Sequence, residues 1–250
     1  MVDHSKMKLG KKPAVHDQRT LQLASYLATH LPTPPAAVNW SSKVHQWPMY
    51  MNDSLGDCTC AAAGHQIQAW TADGQKHEVD VSDAAILKMY EDVGGYRPGH
   101  PETDNGAVEL FILNYWRKIG CGGHKIGAFM SVSPQSTTLV KDGIYLFGGL
   151  YTGIALPISA QNQQVWDVPP GGIIGAGFPG SWGGHAVPIL DYDLRGLTCI
   201  TWGQTKRMTW AFLKLYCDEA YAILSTDFLL AGKAPNGFNL AQLQADLAAL

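Results

Sequence analysis

Apolar and polar positions divide the 250-residue chain into a helical first half and a strand-rich second half. Leu21, Leu23, Tyr26, Leu27 and Leu31 recur at partly helical spacing, predicting a helix over about 18–31 with Asp17 as its N-cap. Pro32-Thr33-Pro34-Pro35 ends it, because proline cannot continue a helix and restricts the residue before it. A boundary therefore falls near 32–37. Val38-Asn39-Trp40 and a loop through Pro48 to Asp57 lead into a second predicted helix over about 58–71. Its early residues are small, so it can sit deep in the fold, with Asp57 capping its free N–H groups. Ser82 or Asp83 opens another helix through about Tyr90, and one more follows Asp104-Asn105-Gly106.

The period then changes. β-like runs appear at Lys125–Val132, Leu150–Ala155, Ala186–Asp191, Leu197–Trp202 and Ala220–Leu224, with helices expected at Pro134–Phe147 and about 208–216. The Gly-rich stretch over 171–184 reads as a flexible loop delivered into His185. Residues 239–250 have the pattern of an amphipathic helix capped by Asn239, with Leu240, Leu243, Leu247 and Leu250 on one side. Helices first and strands later predict an α+β fold. The expected units are an arm with a helix over 1–37, a main domain over 38–235 and the tail helix over 236–250. The main domain divides into a helical lobe at about 50–120 and an antiparallel β-rich lobe at about 121–230, with a cleft between them.

Composition narrows the function classes. Hydrophobic residues make up 46% and charged residues 16%, enough for a sizeable core. The formal net charge is −3 and no basic run is long enough to argue for nucleic acid. No run reaches the roughly 18 apolar residues of a membrane span. Met1 to Pro13 lacks the apolar stretch of a secretory signal, so a cytoplasmic location is expected, with association with a larger particle left open. Five cysteines, an odd number, are expected to be reduced thiols in that setting. Cys58-x-Cys60 with His65 does not match the spacing of zinc knuckles, and the Gly-rich stretch lacks the phosphate-loop pattern and leads into a strand. No metal or other cofactor is expected.

Cys58, at a helix start, is the first candidate for chemistry. A free thiol with a pKa of about 8.5 is only about 3% ionised at pH 7. A helix terminus favours the anion by about 0.3–2 kcal/mol, which leaves it a mediocre nucleophile unless an imidazolium pairs with it. His185 is the best partner: small residues precede it and an apolar strand-like run follows. His65 lies about two turns up the helix from Cys58, too far along the axis to share its proton. The plain alternatives are a small buried Cys and a buried structural His. Cys60 reads as core. Trp166 and Trp182 are the tryptophans most expected at the cleft.

Several segments resemble the papain-like cysteine peptidases, specifically a divergent, intracellular branch of bacterial or phage type. Val38-Asn39-Trp40 is similar to the Val-Asp-Trp that opens the mature enzymes. Asn52-Asp53-Ser54-Leu55-Gly56-Asp57-Cys58 resembles Gln-Gly-x-Cys-Gly-Ser-Cys, with six residues from amide to nucleophile in both. Asp104-Asn105-Gly106-Ala107 resembles Cys-Asn-Gly-Gly. His185-Ala186-Val187 with Asp191-Tyr192-Asp193 resembles the His-Ala-Val strand and its Gly-Tyr-Gly. Thr201-Trp202-Gly203 resembles Asn-Ser-Trp-Gly, and Ala220–Leu224 the closing strand. The order holds over about 38–225. The resemblance implies a helical lobe facing a β-rich lobe, with Cys58 as nucleophile and His185 as general base and acid. Asn52 and the Cys58 N–H would hold the oxyanion, and Trp202 would shield the His. Trp182, Gly183 and Gly184 would line the substrate cleft.

The sequence also departs from that pattern. Asn52 is one methylene shorter than Gln, and Thr59 stands where the family has Trp. The family's orienting Asn falls near Ile200, which cannot accept a hydrogen bond. Gln204, Thr201 or Asp191 can take its place, Gln204 being favoured. The expected function is a thiol hydrolase cleaving a peptide or isopeptide bond through a Cys58 acyl-enzyme, with amidase, deamidase and acyl-transfer variants of the same chemistry. The alternative is a catalytically degenerate scaffold used for binding or assembly. Expected partners are a peptide or protein substrate, and further copies through the arm or tail helix. The family's pro-region blocks its cleft until cleaved; the arm over 1–37 reads equally as such a segment, a packed extension or an assembly contact.

Overall fold

The computed structural model describes residues 4–27, 33–75 and 77–228. The predicted tail helix and residues 28–32 of the arm lie outside that range. In chain order the elements are β1 (Val38–Asn39), α1 (Cys58–Trp70), α2 (Asp83–Gly94), α3 (Glu109–Lys118), β2 (Ile126–Ser131), α4 (Thr137–Phe147), β3 (Leu150–Leu156), β4 (Val165–Trp166), β5 (Gly183–Tyr192), β6 (Leu197–Thr201), β7 (Gln204–Met208), α5 (Trp210–Tyr216) and β8 (Cys217–Ser225). One twisted sheet runs β2-β8-β3-β5-β6-β7-β4, with β1 added against β5. Its pairings are antiparallel except for the short parallel contact of β4 with β7. The fold is α+β, as the change of period predicts.

Two hydrophobic cores lie back to back. Beneath the sheet, Phe147, Leu150, Trp166, Tyr192, Phe212 and their neighbours form one. α1, α2 and α3 enclose the other, around Trp70, Tyr90, Ile112 and Trp116. α1 passes between the second core and β5, and all thirteen of its residues are buried. Burial on every side explains its composition. A Cβ on Gly64 would lie 2.7 Å from the Tyr50 ring and 2.8 Å from Ile86 Cδ1. The polar α1 residues are paired inward: His65 Nε2 is 2.8 Å from Pro48 O, and Gln66 Nε2 donates to Gly148 O at 2.8 Å.

Two expectations change. Over 18–27 the arm forms only a 3-10 turn, Leu23–Tyr26, because Leu23 and Tyr26 insert into the sheet core while Gln22 bridges to Ser131. Asp17 caps no helix; its carboxylate pairs with the backbone and guanidinium of Arg19. The helix expected after Asp104-Asn105-Gly106 is present from Glu109, while Asp104 accepts from Gly56 N–H and Tyr90 O–H. Elsewhere the ends conform to ordinary rules. Ser82, Ser136 and Thr209 cap α2, α4 and α5 through their side-chain oxygens, and Gly95 and Gly148 end α2 and α4 in the left-handed conformation. β7, which is not among the β-like runs expected from the sequence, becomes a strand through a tight hairpin with β6.

Gly64→Val tests the seating of α1. Overpacking against Tyr50 and Ile86 is expected to cost about 1–3 kcal/mol, read as a lower urea midpoint at constant slope. An unchanged midpoint would show that the helix does not lie against these two side chains.

Candidate active site

Two buried elements bring Cys58 and His185 to the same place. Cys58 is the first residue of α1, and His185 lies two residues into β5, next to Ala186, whose N–H donates to Cys58 Sγ at 3.4 Å. The Gly10 N–H also points at the sulfur. Those amides favour a thiolate, but burial outweighs them and pushes the thiol up to about 12. Among the described residues no hydrogen bond joins Cys58 to His185. The imidazole Nε2 is 2.6 Å from Thr201 Oγ1, whereas Nδ1 has no partner. Burial, with His65 nearby, pushes His185 down to about 3. The pair is therefore neutral in this arrangement.

Thr201 and Trp202 hold the ring. Thr201 ends β6 and pairs with Gln204 across a two-residue turn made of Trp202 and Gly203. Both turn residues have positive φ, 48° and 69°, the combination that a tight hairpin between twisted strands requires. Glycine adopts it freely; a tryptophan held there bears a backbone cost. The turn lays the Trp202 indole on His185, with ring centroids 4.6 Å apart and planes 20° from parallel. Trp182 leans on Trp202 from outside at 5.6 Å. Trp166 is a core residue, fully buried against Trp202 and Phe212, and not a cleft wall.

The remaining sequence candidates divide. Gln204, favoured as the group orienting the His, lies instead against His4, its Nε2 3.0 Å from the His4 Nε2. Thr201 occupies the orienting position because β6 ends one residue before the turn. Asp191 is committed to Ser41, accepting from its N–H and hydroxyl at 2.9 and 2.6 Å. Asn52 is itself buried in the loop before Cys58 and donates to Leu55 O at 3.1 Å. Asp57 does not cap α1 with its side chain; its carbonyl accepts from the N–H groups of Cys60 and Ala61. Its carboxyl is wholly buried and stands well above the usual carboxylate range because burial disfavours the charge, an effect Asn52 offsets in part. All five cysteines are free thiols, and Cys60 belongs to the helical core. Among the described residues no cluster of His, Cys, Asp or Glu could hold a metal ion.

The groove between the lobes is filled by the arm. Gly10 O accepts from Ala107 N–H at 2.8 Å, and Lys12 N–H donates to Ala107 O at 2.9 Å. On the opposite wall Lys11 N–H donates to Gly184 O at 3.0 Å. The segment thus lies extended, paired on both sides through its main chain. Glycines make this approach feasible. A Cβ on Gly10 would stand 1.8 Å from Gly56 O, one on Gly106 1.9 Å from Gly10 O, and one on Gly184 2.2 Å from Lys11 O. One on Gly183 would meet Leu9 Cδ1 at 2.8 Å. Trp202 Nε1 donates to Lys8 O at 3.4 Å, and His4 packs 5.2 Å from the same indole.

The architecture is shared with solved structures. Xylellain, a cysteine protease from Xylella fastidiosa, superimposes with a TM-score of 0.65 at 15% identity, over 88% of this chain and 97% of that one. The fold is papain-like. The cysteine protease and lectin-like domains of Cwp84 from Clostridium difficile match with a TM-score of 0.61 at 12% identity, over 90% of this chain and 57% of that one. The Carica candamarcensis protease CMS1MS2, solved in complex with E-64, gives 0.56 at 14% identity, over 76% of this chain and 99% of that one. No protein-family model and no curated protein matches the sequence. The papain-like fold is thus carried with little sequence identity.

Burial of neutral His185 has a measurable consequence. Its folded pKa lies below the unfolded value of about 6.5, so its contribution to stability is full above that pH and is lost as pH falls toward 3. Buried carboxyls raised by burial, such as Asp57, act in the opposite sense. The His contribution is therefore read by difference. Between pH 7 and 5, wild type should lose about 2 kcal/mol more unfolding free energy than His185→Asn. Parallel curves for the two proteins would mean that the ring is already solvated.

Proposed function

We propose that the chain is a papain-like thiol hydrolase, cleaving a peptide or isopeptide bond, and that its own residues 8–12 hold it closed. The observation that supports this most is the main-chain pairing of Gly10–Lys12 between Ala107 and Gly184, directly over Cys58. A groove that accepts an extended backbone from both sides is built to bind a peptide. Its present occupant is a separable segment and not the core.

With the arm withdrawn, water reaches the pair and the burial that keeps both groups neutral is relieved. Thr201 holds Nε2, leaving Nδ1 to take the Cys58 proton. Sγ then attacks the scissile carbonyl carbon, and the proton passes from His185 to the departing amine as the C–N bond breaks. Water hydrolyses the resulting thioester, returning a proton to Sγ through the same imidazole. In this reading the Cys58 N–H serves as an oxyanion donor, joined by Asn52 if its amide leaves Leu55 O. A degenerate binding scaffold is the second reading. Two features favour it: no hydrogen bond joins Cys58 to His185 among the described residues, and a hydroxyl stands where an amide orients the ring in the resembled family.

Gly10→Val separates the two readings, because its side chain collides with the Gly56 carbonyl and forces the arm out. In wild type, Cys58 should resist iodoacetamide from pH 5 to 9. In Gly10→Val it should label fast below pH 8, and a peptide library should be cleaved. Adding His185→Ala should remove both. Should Cys58 in Gly10→Val react no faster than an ordinary thiol, with no peptide cleaved, the scaffold reading stands.

A further inference from the structure

The arm carries one side chain that main-chain pairing does not explain. Lys11 is buried, its side chain only 1% exposed, and its ammonium lies among three carboxyls. Nζ donates to Asp218 Oδ2 at 2.9 Å and lies 2.9 Å from Glu219 Oε1. Glu109, at the start of α3, is fully buried beside them. Asp218 and Glu219 come from β8, on the other lobe. Gly153 of β3 forms the floor: a Cβ there would lie 1.9 Å from Lys11 Cε and 2.8 Å from Glu219 Cγ. Lys11 therefore occupies a pocket of its own, deep in the wall of the cleft.

An ammonium removed from water is unfavourable unless the protein replaces its solvation. Burial alone would lower the Lys11 pKa, but Glu109, Glu219 and Asp218 overcome this and hold it above the ordinary lysine value. The pocket also has acceptors to spare. Neither Glu109 oxygen has a hydrogen-bond partner, and Glu219 Oε1 meets Lys11 as an ion contact without hydrogen-bond alignment. Burial pushes the Glu109 carboxyl well above its usual range, with the Glu219 charge adding to this and Lys11 opposing it. Glu109 and Glu219, buried around a short floor beside the more exposed Asp218, are poorly satisfied by an apolar side chain or by an empty cavity. The arm inserts a cation here, and among the described residues no other cation forms an ion pair with these carboxyls.

We infer that the pocket formed by Glu109, Gly153, Asp218 and Glu219 is a specificity site for a basic side chain, holding Lys11 in the closed chain and a lysine or arginine of the peptide that replaces the arm. This rests on the reading of the cleft as a peptide-binding groove. It does not depend on Cys58 being an active nucleophile, since the pocket recognises charge before any bond is broken. Cleavage is then directed to sites near a basic residue, and the arm acts as a tethered competitor.

The test uses the full-length Gly10→Val/Cys58→Ala protein, in which the arm is displaced and no turnover occurs. A fluorescent acetyl-Leu-Gly-Lys-Lys amide is compared with the same peptide carrying norleucine at the third position, which keeps the stem and removes the charge. The lysine peptide should bind at least tenfold more tightly. Glu219→Gln and Glu109→Gln, added singly, should each narrow that preference. Equal binding of the two peptides to the protein with its carboxyls intact overturns the inference, whatever happens to the variants' folding. The outcomes separate it from the hydrolase reading. Lysine preference with an unreactive Cys58 retains the pocket and rejects the hydrolase. A reactive Cys58 in Gly10→Val with no lysine preference does the reverse.

Discussion

A helix with no exposed face must be made of side chains small enough to let its neighbours close on it. α1 meets that constraint with Cys58, Thr59, Cys60, three alanines and Gly64 in its first two turns. Everything at the site depends on it. Its close approach to β5 brings Sγ to the Ala186 amide, and the register of β5 with β3 then fixes where His185 and Gly184 stand. A larger residue near the start of α1 would move the thiol, the imidazole and the cleft wall together.

Burial disfavours charge at both titratable centres of the cleft, and the neighbouring groups decide the outcome. At Cys58 and His185 no ion of opposite charge offsets it, so both groups are neutral. At Lys11 the surrounding carboxyls more than offset it, so the ammonium stays charged. In the proposed reading, a few residues of arm keep the thiol and imidazole buried while placing a cation among these carboxyls. The strain accepted at Trp202, held at positive φ, serves the same centre by fixing the indole against the imidazole.

Much of this was legible along the chain. Period and punctuation located the helices α1 to α5 and the strands β2, β3, β5, β6 and β8 to within a few residues, because each combines an apolar pattern with a stop. The α+β order and the papain-like resemblance followed from the same segments. β7 was missed because Gln204–Met208 is polar and is a strand only through its hairpin to β6. The helix expected from Asp17 failed because Leu23 and Tyr26 were needed by the sheet core, so tertiary packing overrode the local spacing.

The sequence by itself determined which residues are small, which are apolar and in what order, and hence the α+β architecture and the candidacy of Cys58 and His185. Tertiary structure alone decided three things. Thr201, and not Gln204, meets the imidazole, because a two-residue hairpin turns the chain immediately after it. The arm lies in the cleft, because glycines at 10, 106 and 184 leave the space for two backbones to meet. Lys11 finds its counter-charges on Glu109, Asp218 and Glu219, residues far from it in the chain. Local pattern reports a residue's preference for an element or for burial. Which distant backbone or charge it meets depends on long-range packing, which no local window contains.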